Sequence, residues 1–169
     1  VGHGASFRPI RRGEPIILDL VGACHGYYAD MTRTFVLGEA PGEVLRAYAA
    51  VRGIWEVARE ALRPGTPAGA VFAAAAAAAA DLGYGEAFMR SGEGQLTYVG
   101  HGVGWEIDEI PFLARGFEMP LEEGMVLAVE PKLTLPEIGV IGLEDTFLVT
   151  AREAEALTEV PRDLTVLEP

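Results

Sequence analysis

Cysteine and lysine each occur once, as Cys24 and Lys132. A lone cysteine excludes an intramolecular disulfide and any multi-cysteine zinc or iron–sulfur site. It also points to a reducing compartment, so a cytoplasmic location is expected. Positive charge is scarce: 13 basic against 25 acidic side chains leave a net charge of −12. Such a chain does not bind nucleic acid or an anionic membrane through bulk charge. No apolar run is both long enough to span a bilayer and free of charges and Pro/Gly breaks. There is no signal-peptide pattern, and no glycine-rich stretch ends in the Gly-Lys-Ser/Thr of a phosphate-binding loop. What remains is a chain of 169 residues, 50% hydrophobic and 22% charged, enough for one packed domain. It opens Val1-Gly2-His3-Gly4 without an initiator Met and runs almost at once into an apolar stretch. The expectation is a single catalytic domain over 1–169, incomplete at its N-terminus.

Hydrophobic periodicity gives the element order. Pro15 to Val21 is a short apolar run of the type buried on both faces of a sheet. Gly22 to Gly26 forms a turn cluster, and Tyr27 to Leu37 returns as a second strand. Val44, Tyr48, Val51, Trp55, Ala58 and Leu62 recur at steps of three and four, which predicts an amphipathic helix ended by Arg63-Pro64-Gly65. Thr66 followed by Pro67 reads as an N-cap and first helical position. The second helix runs through the alanines at 73–80 toward Gly83 and, being small-sided, suits close packing on something flat. Gly92 to Gly104 reads as loop plus short strand. Met125 to Lys132 and Val140 to Val149 read as a second hairpin turning around Pro136-Glu137-Ile138-Gly139.

Both hairpins carry acids where a buried strand should be apolar. Asp19 interrupts Ile17-Leu18-Asp19-Leu20-Val21, and with a tip at Cys24-His25 it would face Asp30 directly. With the second turn centred on Glu137, Glu130 would face Glu144 in the same way. Opposed carboxylates repel at cross-strand distance unless a cation lies between them. A salt bridge from Arg33 to Asp30 is the structural alternative. His101 lies between glycines in Gly100-His101-Gly102, where backbone can approach a ligand. Four carboxylates and one imidazole suit hard or borderline divalent ions such as Mn, Fe(II), Co or Zn, and suit two ions sharing carboxylates. The residues alone therefore point to a two-metal hydrolase.

Three segments carry a family resemblance. They are Leu18-Asp19-Leu20 through Tyr28-Ala29-Asp30-Met31-Thr32-Arg33; Gly100-His101-Gly102 with Asp108-Glu109; and Gly124-Met125-Val126 through Glu130-Pro131, then Glu144-Asp145-Thr146. In order and spacing they resemble the pita-bread metallopeptidases: methionine aminopeptidase, prolidase and aminopeptidase P, with creatinase as a metal-free relative. The resemblance covers nearly the whole chain from about residue 3 and is nearest the Xaa-Pro branch. It implies an α+β fold, a curved antiparallel sheet backed by helices. It implies two divalent metals (Mn, Co, Fe or Zn) on Asp19, Asp30, His101, Glu130 and Glu144. It implies a metal-bridging water as nucleophile, with Glu130 as proton shuttle and His101 and Asp108 beside the reacting bond. The implied partner is a peptide or other small molecule, and homodimerisation is an expectation from relatives.

The departures matter as well. The family usually carries a second histidine where this chain has Asp108, and its prolidases carry an arginine where this chain has Gly142. His3 stands near a further substrate-side histidine of the family, and Trp105 is a candidate pocket wall. Cys24 and His25 fall at the hairpin tip, outside the ligand set. Asp145 reads as support for its neighbours. Three functions follow: an Xaa-Pro dipeptidase or aminopeptidase, a metal-dependent hydrolase or lyase of a small non-peptide metabolite, and a non-catalytic binding protein on the same fold.

Overall fold

A computed structural model describes residues 7–92 and 94–168. The chain runs β1 (Pro15–Cys24), β2 (Tyr27–Leu37), α1 (Gly42–Ala61), α2 (Ala68–Asp81), β3 (Arg90–Ser91), β4 (Gly94–Gln95), β5 (Tyr98–Gly102) and β6 (Glu109–Ala114). It continues with β7 (Val126–Val129), β8 (Lys132–Leu135), β9 (Gly139–Gly142), β10 (Asp145–Val149), β11 (Ala154–Ala156) and β12 (Thr165–Leu167). An antiparallel sheet in the order β11-β10-β7-β5-β6 lies beside a second sheet, β1-β2-β12, in which β12 is parallel to β2. The two helices back these strands.

The α1 stripe is buried as its spacing requires, from Val44 to Leu62, with Trp55 against Phe147 at 5.4 Å between ring centroids. Helix α2 buries Val71, Phe72, Ala75 and Ala79. Its small side chains serve close approach: a Cβ on Gly69 would stand 2.8 Å from the Ala114 carbonyl oxygen at the end of β6. The expected Thr66 cap is absent. Pro67 occupies the cap position without a side-chain cap bond, and Ala68 is the first helical residue.

Three expectations about the hairpins change. The first concerns the turn. Its central residues are His25 and Gly26, both at positive φ (52° and 88°), the primed geometry that matches strand twist. Asp19 therefore pairs with Thr32, and Asp30 with Val21, two residues from the expected register. A shift of two keeps both acids on one face, as diagonal rather than opposed neighbours.

The second concerns β1, which is not buried on both faces. Among the described residues it pairs in a ladder with β2 alone, and Leu18, Leu20 and Val21 are exposed. The third concerns the long strands of the second hairpin, which are each interrupted. Glu130-Pro131 separates β7 from β8, and Leu143-Glu144 separates β9 from β10. Proline has no N–H to give a ladder. The register is the same on both sides of the break, Lys132 with Gly142 and Val129 with Asp145, so Glu130 stands level with Glu144 as expected.

Threonines join the two sheets at this break. Thr32 and Glu144 exchange backbone hydrogen bonds. The Thr146 hydroxyl donates to the Asp30 carbonyl at 2.8 Å and accepts from the Asp30 N–H at 2.9 Å. The Thr34 hydroxyl does the same for Gly142, at 2.7 and 3.1 Å. These bonds place β2 and its acids against the interrupted strands.

Candidate metal centre

The carboxylates and the imidazole converge where β2, β5 and the two strand breaks meet. Asp30, His101 and Glu144 are all buried, and each offers a ligand atom within 4.8 Å of the other two. His101 is held on β5 because Gly100 and Gly102 let neighbouring backbone approach. A Cβ on Gly102 would lie 2.7 Å from the Glu109 carbonyl oxygen, and one on Gly100 would collide with the carbonyl of Ala128. The glycines thus serve sheet packing rather than ligand approach.

His101 Nδ1 lies 3.1 Å from the Gly102 carbonyl, which assigns the proton to Nδ1 and turns Nε2 to the cluster. There Nε2 stands 3.2 Å from Asp108 Oδ1 and 3.7 Å from Glu130 Oε1. Glu144 Oε2 accepts the Thr32 hydroxyl at 2.6 Å.

Asp30 shows what the cluster needs. Among the described residues its Oδ1 is buried without a hydrogen-bond partner. Burial first, then the carboxylates of Asp19 and Glu130, push its pKa up to about 6 against a partial offset from His101. Burial likewise raises Glu144 well above the ordinary carboxylate range, Lys132 opposes it, and Glu130 and Asp30 add to it. A buried carboxylate oxygen with no donor, beside an imidazole nitrogen and more carboxylates, fits a divalent cation.

Asp19 lies at the rim. Its half-exposed carboxylate lies 3.2 Å from Lys132 Nζ. Lys132 is the residue that sequence reasoning missed. Its ammonium also sits 2.6 Å from Glu130 Oε2 and 3.9 Å from Glu144 Oε2. Burial disfavours that charge, but the three carboxylates outweigh it and raise the Lys132 pKa above its ordinary value. The signal was present: the chain's one lysine stands two residues after Glu130 and faces Gly142.

The remaining candidates divide clearly. Arg33 does not pair with Asp30. It reaches Asp145 Oδ1 at 2.7 Å and the carbonyls of Glu144, Thr32, Val160 and Pro161. Asp145, fully buried, also accepts Thr158 and Arg162 at 2.6 Å each, so it supports the strand and does not enter the cluster. Trp105 is exposed and packs edge-on against Tyr27 at the hairpin, 5.9 Å between centroids. Cys24 is exposed. His3 lies outside the described residues.

The Asp30 shift has a signed consequence. Below about pH 4 this carboxyl is protonated in folded and unfolded chains alike and costs nothing. Between about pH 4 and 6 the unfolded chain gives up this proton and the folded, metal-free protein does not, so stability falls across that window and the full cost is reached above about 6. Asp30→Asn is expected to stabilise the metal-free protein above pH 6, on the order of 2–3 kcal/mol, with the gain vanishing below pH 4. Urea denaturation across pH 3.5–8 checks this; a gain independent of pH contradicts it.

The chain resembles known proteins along nearly its whole length. Residues 1–151 match the model of metallopeptidase family M24. The chain is 36% identical over 163 residues to an Xaa-Pro dipeptidase of Pyrococcus furiosus, a match covering 96% of this chain and 45% of the relative. It is similar in structure to dipeptidase PepE of Mycobacterium ulcerans, with TM-score 0.90, 33% identity, and 99% and 43% of the two chains covered. An X-Pro aminopeptidase of Thermotoga maritima gives TM-score 0.89 at 30% identity, covering 96% and 44%. The chain therefore spans less than half the length of these relatives. Its fold is the pita-bread fold of those proteins. No helix among the described residues is long and apolar enough to cross a membrane.

Proposed function

The chain belongs to metallopeptidase family M24, and from that membership we propose that residues 1–169 form the metal-binding part of an Xaa-Pro dipeptidase or aminopeptidase. In this reading Asp19, Asp30, His101, Glu130 and Glu144 hold two divalent ions drawn from Mn, Co, Fe and Zn. The observation that carries it is the buried Asp30 Oδ1, without a hydrogen-bond partner among the described residues, beside His101 and Glu144. When bound, such ions supply Lewis acidity, polarising a carbonyl and making water a nucleophile near neutral pH.

The protein's own residues do the rest. His101, its Nδ1–H fixed on Gly102, keeps Nε2 turned to the reacting centre. Glu130 is anchored by its backbone N–H on Val99 and buried but for its edge; it takes the proton of the attacking water and passes it to the leaving nitrogen. Asp108, more than half exposed, borders the open side, where an anion suits a substrate ammonium. Trp105 walls the same side, and His3 is a second substrate contact. Residues 1–169 act as one catalytic domain of a cytoplasmic enzyme that pairs as a homodimer.

The test is hydrolysis by the whole, Mn-reconstituted protein of a panel of Xaa-Pro dipeptides and of longer peptides beginning Xaa-Pro. Cleavage that chelator abolishes and Mn restores is expected. A protein that binds metal yet cleaves none of them contradicts the peptidase assignment.

A further inference from the structure

We infer that Lys132 is a built-in competitor for one of the two metal ions, so that the ions load in unequal steps. The first ion binds Asp30, His101 and Glu144; the second binds only as the Lys132 ammonium leaves Asp19 and Glu130. This rests on the metal reading above and adds to it a residue outside the ligand set.

The geometry divides the cluster in two. On one side Asp30, His101 and Glu144 hold their ligand atoms within 4.8 Å of one another, and Asp30 Oδ1 has no donor among the described residues. A cation arriving there displaces no donor among the described residues from Asp30 Oδ1. On the other side the three N–H donors of one ammonium face three carboxylates, at 2.6 Å (Glu130), 3.2 Å (Asp19) and 3.9 Å (Glu144). A divalent ion and an ammonium cannot share the same oxygens at contact distance, so the second ion must evict the first occupant.

Lys132 is placed for this by its surroundings. Its N–H meets Met89 Sδ at 3.3 Å and its carbonyl accepts the Met89 N–H at 2.8 Å, which fixes the root of the side chain. Directly opposite, Gly142 leaves the stem its path: a Cβ there would stand 2.8 Å from Lys132 Cγ. Lysine, a point charge on a flexible four-carbon stem, can withdraw without disturbing either strand.

The experiment is a calorimetric Mn(II) titration of the metal-stripped whole protein, as wild type, Lys132→Met, Lys132→Arg and Gly142→Ala, with circular dichroism confirming that each variant is folded. Two unequal steps are expected for the wild type. Lys132→Met should tighten the weaker step about tenfold or more and the stronger by less than about threefold. Gly142→Ala, which pushes the stem aside while keeping the charge, should shift the weaker step in the same direction. Lys132→Arg should leave it weak. Equal tightening of both steps in Lys132→Met, or none, overturns the inference and leaves the metal reading standing. If the wild type binds no Mn, both fall together. A second readout needs no variant: acylation of the Lys132 amine, followed by peptide mapping, should rise when the weaker step saturates. Labelling indifferent to Mn overturns the inference.

Discussion

Glu130→Gln is expected to lower kcat on an Xaa-Pro dipeptide by about 10³-fold, within the range that general acid–base catalysis contributes. The amide keeps the size and shape of the carboxylate, so the backbone bond to Val99 and the level with Glu144 persist. It loses the basic oxygen pair that faces His101 on one side and Lys132 on the other. It also removes a formal charge from the donor set, so Mn affinity should fall with kcat. The two effects separate by assay at saturating Mn: the loss of kcat remains while metal occupancy recovers. A variant that keeps within tenfold of the wild-type kcat at full occupancy would assign the proton shuttle elsewhere.

Arg33→Ala is expected to have a large effect on stability, a loss of about 2–3 kcal/mol, because it breaks charged hydrogen bonds between buried groups while Asp145 keeps Arg162. Arg33 and Asp145 are both buried, 2.7 Å apart. The guanidinium also ties the Glu144 carbonyl to the segment at Val160–Pro161, distant in sequence. Truncation removes a charged donor from Asp145, which keeps Thr158 and Arg162, and cuts the tie from the Glu144 and Thr32 carbonyls to Val160 and Pro161. Lysine cannot restore this, because one ammonium does not span the five acceptors that the planar fork reaches. Urea unfolding of Arg33→Ala and Arg33→Lys should show both destabilised. Loss below about 1 kcal/mol in Arg33→Ala would mean that the network is not structural.

The sequence made the helices legible because α1 buries a continuous stripe at regular spacing, and α2 packs small side chains where Gly69 nears β6. The second hairpin was legible because its turn is a short glycine-ended loop, with Glu137 and Gly139 at positive φ. The first hairpin was misplaced by two residues. Such a shift leaves every side chain on its face, so alternation cannot detect it, and only the His25-Gly26 turn decides. The apolar run of β1 reads as buried from composition, but exposure depends on what lies beside the strand, and among the described residues β1 pairs in a ladder with β2 alone.

At the site, the acids were conspicuous because each breaks an apolar pattern. Lys132 and Arg33 were not, since their roles depend on what sits across the sheet. For Lys132 that is a glycine that clears its path; for Arg33 it is Asp145, with the carbonyls of Val160 and Pro161.

Diffraction from crystals of the whole protein grown with Mn(II), with data collected at an energy that reveals Mn by its anomalous signal, tests the metal centre most directly. Two peaks are expected, one touching Asp30, His101 and Glu144 and one touching Asp19 and Glu130. Peaks that avoid Asp30 and His101, or an Asp30 Oδ1 still without a partner at saturating Mn, would contradict a metal-dependent role for this cluster.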